Sequence, residues 1–291
     1  MAYVRRVEAL GFGVFWAPET VGREPFALMA MLATATDSLI LGTSIASIYA
    51  RDAVTTRTAA LTIAEASGGR FILGLGVSHP HLVTKVRGHD YGKPVTTMRE
   101  YLAAYHAAPW RGPTVADGVL PGPPIVLAAL RENMTALAAT ETDGPFPYLV
   151  TAERLAWIRG VADRAAAGGA AAVGADRGAR PLLAVTVPVV LEPSAAAARA
   201  AARAYLVPYF RGPNYRASFG AQGFVADDWE GSGSDRLVDA MVAWGPVPAI
   251  TRRIDAMFAA GADHVALIPL SPDGKTEDLA TIEALAERLL G

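Results

Sequence analysis

Short apolar runs alternating with helical patterns, at a steady beat along the chain, restrict what this sequence can fold into more than any other feature. Runs rich in Val, Ile, Leu and Phe fall at residues 14–17, 39–45, 71–76, 125–129, 147–150, 182–190 and 265–269. Between them, apolar positions recur at helical spacing over residues 25–36, 53–66, 95–107, 132–140, 152–165, 194–210, 247–260 and 276–290. The runs are short and nearly continuous, which is the pattern of strands covered on both faces. Repeated strand–helix units predict a parallel sheet, and at 291 residues a single α/β domain of the closed (β/α)8, TIM-barrel type is favoured over an open, doubly wound sheet. The beat yields seven strands, one short of that barrel. Residues 3–10 read as a helix ahead of the strand at 14–17, so the first strand is missing from this sequence: either the start is truncated or the barrel closes unusually.

Two stretches break the beat. Residues 162–179, "ADRAAAGGAAAVGADRGA", read as a helix end followed by a mobile connection. Residues 212–245 are too long and too aromatic for a simple turn and read as an insertion, part of a lid over the barrel. The expectation is one domain, residues 1–291, carrying that insertion.

Composition excludes several classes of function. Lys and Arg number 26 against 28 Asp and Glu, which leaves no basic footprint for nucleic acid and no polybasic membrane patch. The absence of cysteine removes disulfides, thiolate metal sites and a catalytic thiol, and no metal site is expected. "MAYVRRVEALGF" carries charges where a signal peptide needs an apolar core, and no apolar run reaches the roughly 18 residues of a membrane span. A cytoplasmic location follows as an expectation.

One strand announces a site. "GRFILGLGVSH" ends an apolar run on a Gly-x-Gly pair and then delivers Ser78 and His79. A glycine at a strand end lets a ligand or another backbone approach where a Cβ would block it. The alternative, that Gly74 and Gly76 relieve crowding inside the barrel, stays open. His79 carries two readings as well. Its ordinary pKa near 6.5 makes both protonation states available to an acid/base, or it orders the turn before Pro80 as a loop histidine. His81 is a weaker alternative to it, and His89, His106 and His264 sit at loops or element boundaries, where structural roles are expected.

At this point the motifs carry a resemblance. "LGFGVFWAPE", "LILGTSIASIYARDA", "SGGRFILGLGVSH" and "AGADHVALIPL", in that order, resemble the luciferase-like monooxygenase superfamily, and within it the branch of coenzyme F420-dependent oxidoreductases. "RGHDYGKPVTTMREYL", "HAAPW", "PYLVT", "PNYR" and "GSDRLVDAMVAWG" are similar to an actinobacterial subgroup of that branch. The opening strand of the family is what the sequence lacks.

The resemblance implies a set of site residues. Gly76, Val77 and Ser78 would border the deazaflavin ring, and His79 stands where related enzymes place a carboxylic acid near C5 of that ring. Ser44 and Ile45 match a strand bulge that commonly holds a non-proline cis peptide behind the ring. Glu19 takes an acidic position near the cofactor, while Thr20 replaces a histidine found in some relatives; Glu19 as a simple charge at a helix start is the other reading. Arg51 has a ligand-binding reading, and Asp52 is well placed to cap the helix that begins at Ala53. Arg131, at a helix N-terminus, suits a phosphate, although Ala129 and Leu130 replace the glycines usual there. Tyr148 and Thr151 would line the same mouth.

Three functions follow for comparison. The first is an F420-dependent oxidoreductase passing a hydride to or from a small organic substrate, with His79 and Glu19 as catalytic candidates. The second is an FMN-dependent monooxygenase on the same barrel. The third is a degenerate barrel that binds a ligand without turnover. Because a barrel one strand short exposes unpaired edges, either residues from elsewhere fill the gap or two subunits cover it in a homodimer, which the resemblance also favours.

Overall fold

A computed structural model describes residues 1–112, 122–168 and 180–291. Its first element is helix α1 (Ala2–Ala9), followed by strand β1 (Val14–Ala17), as the apolar pattern predicts. The described residues fall into two compact units, Met1–Pro145 with Ala162–Pro181, and Phe146–Val161 with Leu182–Gly291.

The first unit is built on a parallel sheet. Its strands are β1, β2 (Ile40–Thr43), β3 (Ala46–Ser47), β4 (Phe71–Gly76), β5 (Ile125–Leu127) and β6 (Gly144–Pro145). The order is β1-β2-β4-β5-β6, with β3 also pairing β4. Helices α2 (Pro25–Ala33), α3 (Ala53–Ala66), α4 (Pro94–Ala107) and α5 (Glu132–Glu141) follow these strands and pack in sequence, each against the next. Their starts are legible chemistry: Glu24 accepts the Ala27 N–H at 2.6 Å ahead of Pro25, and Asp52 accepts the Thr55 N–H at 2.8 Å, as expected of a cap. Met29, Leu41, Leu73 and Met98 are fully buried and mark the core.

The second unit pairs β7 (Ala184–Val190) with β9 (His264–Leu270) over seven registered positions, and with the short β8 (Ala243–Trp244) on its other side. Around this sheet lie α7 (Ala195–Phe210), α8 (Pro213–Gly220), α9 (Ala226–Trp229), α10 (Asp235–Met241), α11 (Val247–Ala259) and α12 (Leu279–Leu289). Helix α6 (Ala152–Gly168) supplies the helix end expected at the start of the 162–179 stretch; residues 169–179 lie outside the described residues.

One expectation needs correction. The strand expected at 147–150 is displaced to β6, with Tyr148 keeping a single bridge to Thr186. Pro147 lacks an N–H, so its carbonyl alone joins the neighbouring strand, accepting the Thr186 N–H at 3.3 Å. The expected insertion at 212–245 folds as α8, α9 and α10 and then returns to the sheet as β8. A strand of two residues carries no periodicity to betray it.

Candidate active site

The site in the first unit grows from an interruption in the sheet. β2 pairs with β4 at Leu41–Phe71 and Gly42–Ile72, and pairing resumes through β3 at Ala46–Leu75 and Ser47–Gly76. Opposite the gap, the backbone of Gly74 would lose its ladder partners. The Thr43 hydroxyl replaces them, accepting the Gly74 N–H at 2.9 Å and donating to the Gly74 carbonyl at 2.8 Å. Within the gap the Ser44–Ile45 peptide is cis, as the resemblance implies. The Ser44 N–H donates to Ala17 O at 2.9 Å, and the Ile45 carbonyl accepts the Glu19 N–H at 3.1 Å, so the bulge is tied to the end of β1.

This bulge accounts for the Gly-x-Gly pair. A Cβ on Gly74 would stand 1.8 Å from the Thr43 carbonyl oxygen, and one on Gly76 would stand 2.6 Å from Cγ1 and Cδ1 of Ile45. The close approach inferred at this strand end is that of a neighbouring chain segment. Gly76 acts on the site by letting Ile45 lie against β4.

Beyond β4 the chain passes through Val77, Ser78 and His79, all partly exposed, into a π-helical turn at Leu82–Val86. Ser78 holds a φ of 55°, uncommon for a residue with a Cβ, and π-turns recur at functional sites. The His79 ring lies nearly parallel to that of His81, centroids 6.1 Å apart. Burial, with a smaller contribution from His81, pushes the His79 pKa below its ordinary 6.5, so the ring is neutral at neutral pH. Tyr91 donates to the Ser78 carbonyl at 3.5 Å and stacks on Tyr49 at 5.8 Å. Burial raises the Tyr91 pKa, the neighbouring Tyr49 adds to the rise, and the Arg131 guanidinium opposes it. Arg131 is exposed and immediately precedes α5, where its side chain does not cap the helix. Tyr49 and Tyr91 escaped the sequence reading, since neither lies in an apolar period or at a strand end.

Glu19 sits at the end of β1 with its side chain 5% exposed. Oε2 accepts the Ser47 N–H at 2.8 Å and Arg51 Nη1 at 3.0 Å; Oε1 accepts Arg51 Nη2 at 3.1 Å and Arg87 Nη2 at 2.9 Å. Arg51, considered for a ligand, thus holds Glu19 and also reaches Glu24 at 2.6 Å.

Tyr148 and Thr151 belong to the second unit. The Tyr148 hydroxyl is hydrogen-bonded to that of Tyr205, which accepts from Tyr209 at 3.4 Å. Tyr215 meets Tyr148 edge-on at 6.2 Å. Burial drives the pKa values of Tyr148, Tyr205 and Tyr215 far upward, so these are neutral phenols. The readable signal was the pair Tyr205 and Tyr209, four residues apart on one helix face. Thr151 caps α6, its Oγ1 accepting the Arg154 N–H at 3.2 Å, and donates its own N–H to Gln222 at 2.8 Å.

A parallel α/β fold with a polar cluster gathered where β1, the bulge and β4 end belongs to a recognised class of enzymes. Residues 1–264 match the model of the luciferase-like monooxygenase family, and the chain belongs to that family. A stretch of 99 residues is 37% identical to a putative coenzyme F420-dependent oxidoreductase of Mycobacterium tuberculosis, covering 34% of this chain and 28% of that relative. Among solved structures, an F420-dependent secondary alcohol dehydrogenase in complex with an F420-acetone adduct superposes with a TM-score of 0.75 at 15% identity, covering 98% of this chain and 92% of that one. A type II Baeyer-Villiger monooxygenase from Pseudomonas putida, in complex with FMN, gives 0.70 at 15%, covering 98% and 90%. At these identities the two structures speak for the fold, which is the expected one. Among the described residues its strands form two parallel sheets.

Proposed function

We infer that this chain is an F420-dependent oxidoreductase in which His79 moves the proton that accompanies hydride transfer to or from a small organic substrate. The observation that carries this reading is the placing of His79: partly buried, neutral at neutral pH, and one turn beyond the strand that packs on the Ser44–Ile45 bulge. The residues present fit a planar ring with polar edges, because partly exposed Ile45 and Val77 offer apolar surface beside Ser44 and Ser78. Bound there, the deazaflavin would supply hydride chemistry. When a hydride leaves a carbinol carbon, a proton must leave its oxygen, and a neutral imidazole nitrogen of His79 can accept it; in the opposite direction the protonated ring returns it to a carbonyl oxygen. Arg131 provides an exposed guanidinium suited to the cofactor's phosphate-bearing side. The reading rests on residues of the first unit; Tyr148 and Thr151, which the resemblance implies at the same mouth, belong to the second.

Dialysed protein titrated separately with F420 and with FMN, followed by fluorescence quenching, tests the cofactor. F420 is expected to bind the more tightly. FMN retained through purification, with no response to F420, would replace this reading by an FMN-dependent monooxygenase. His79→Ala is expected to lower turnover of a panel of secondary alcohols and ketones by roughly 10²–10⁴-fold while leaving F420 affinity nearly unchanged. An unaltered rate across the pH range would remove His79 from the chemistry, and F420 binding without turnover of any panel member would favour a binding barrel.

A further inference from the structure

Glu19 is placed to fix other groups and is poorly placed to exchange a proton. An ionised carboxylate offers about four acceptor positions. The Ser47 N–H, two nitrogens of Arg51 and one of Arg87 occupy them at 2.8–3.1 Å. One of these partners is anchored to the body of the unit: the Arg51 guanidinium lies 4.7 Å over the Phe26 ring, and its carbonyl accepts the Tyr101 hydroxyl at 3.1 Å. The other partner, Arg87, closes the turn that starts at His79. Along that turn the Val83 N–H donates to His79 O, the Arg87 N–H to Leu82 O and the His89 N–H to Val83 O, each at 3.0 Å. These bonds link His79 to Val83 and Val83 to His89 on either side of Arg87, so a restraint on Arg87 is passed to the start of the turn.

We propose that Glu19 and Arg87 form a clasp that fixes the His79-bearing turn against the end of β1 and the cis bulge, making Glu19 a positioning residue for His79. The inference rests on the reading in which His79 moves the proton. Its geometry also explains why an acidic residue is needed at position 19. The same carboxylate that grips Arg87 takes the Ser47 N–H two residues beyond Ile45, and the Glu19 N–H binds Ile45 O at 3.1 Å. Bulge and turn are thereby registered to a single side chain.

The test uses the cofactor-free protein, so that it stands apart from the question of which cofactor binds. The His79 ring is titrated by NMR in wild-type protein, Arg87→Ala, Arg87→Lys and Glu19→Gln, with the His106 ring, edge-on to Tyr105 in the same unit, reporting an intact fold. None of His81, Lys85, His89, Asp90, Tyr91 and Arg131, the other titratable groups around the turn, is altered. Removing Arg87 deletes a positive charge and neutralising Glu19 deletes a negative one, so a direct field effect would move the His79 titration in opposite directions. Release of the turn admits water in both cases. The clasp therefore requires His79 to titrate higher in both variants, by about half a pH unit or more. Arg87→Lys, which keeps one donor and the charge, is expected to restore most of the wild-type behaviour. Amide exchange over residues 82–89 should also quicken roughly tenfold in Arg87→Ala. Opposite shifts, or unchanged exchange and titration in Arg87→Ala, would overturn the clasp. If Glu19→Gln loses the His106 signal through misfolding, Arg87→Ala and its lysine counterpart decide by exchange alone. An inactive His79→Ala with an unmoved Arg87→Ala rejects the clasp and spares the role of His79, whereas a fully active His79→Ala rejects both.

Discussion

Three histidines, His79, His106 and His264, share one property with a measurable result. Burial is the largest cause of a lowered pKa in each, helped by His81 at His79 and by Arg57 at His106. Between its depressed pKa and about 6.5, the folded protein binds fewer protons at these rings than the unfolded chain does. Their contribution to stability is thus complete above about 6.5 and is lost as pH falls through the depressed values. The melting temperature should drop as buffer is taken from pH 8 toward pH 5, ahead of the carboxylates with lowered pKa such as Glu8 and Asp228, which act below about pH 4. A flat melting temperature over that interval would contradict the assignment. At this scale the sequence was partly transparent: Asp52 declared itself as a cap because capping is local. The partners of Glu19 did not, since Arg87 is 68 residues away and only folding brings the two together.

The element that organises the site is the bulge between β2 and β3. The resemblance located it at Ser44 and Ile45, but its hydrogen bonding had no sequence signal, because a buried Thr reads like any β-branched strand residue. Thr43 is fully buried and satisfies both backbone groups of Gly74. Thr43→Val keeps shape and volume while removing both bonds, which leaves a buried N–H and a buried carbonyl unpartnered. A loss of about 2–4 kcal/mol is expected in chemical denaturation, with Thr43→Ser retaining much of the stability. A Val variant within 0.5 kcal/mol of wild type, roughly the scatter of neutral surface changes, would mean another group rescues Gly74. Strand β4 was legible to the residue because its apolar run starts after Gly68, Gly69 and Arg70 and ends on Gly76; β3, β6 and β8 are two-residue strands and were invisible for want of a period.

Across the first unit, polar networks divide between the two ends of the strands. Ahead of β2 and β4, Glu8 accepts the N–H groups of Asp37, Ser38 and Leu39 at 2.7–2.9 Å. On the same side Arg70 reaches the carbonyls of Ala33, Thr36 and Leu39 near the end of α2. These bonds satisfy backbone groups that the helix and the turn leave open. At the other end, Glu19, Arg51 and Arg87 gather around the bulge and the turn. In parallel α/β barrels the carboxyl ends of strands carry chemistry and the amino ends carry stability. Glu8→Ala should accordingly cost about 1–2 kcal/mol of stability and leave affinity for the proposed cofactor unaltered; a loss of affinity would break this division of labour. The alternation of strands and helices was enough to read the fold class, because it reflects burial on both faces. The division of labour between ends was not, because it depends on which side chains meet across strands.

Gly76 and Ile45 also set a rule for anyone who would reshape this protein. Their volumes are conjugate: the space a Cβ would need at position 76 is already filled by Cγ1 and Cδ1 of Ile45. Enlarging one requires trimming the other, so a library that varies position 76 alone samples mostly clashes, and one that varies 45 alone opens voids. The two behave as a single letter of the code, to be drawn together, while Gly74, facing a backbone oxygen that no substitution can remove, admits no alternative spelling.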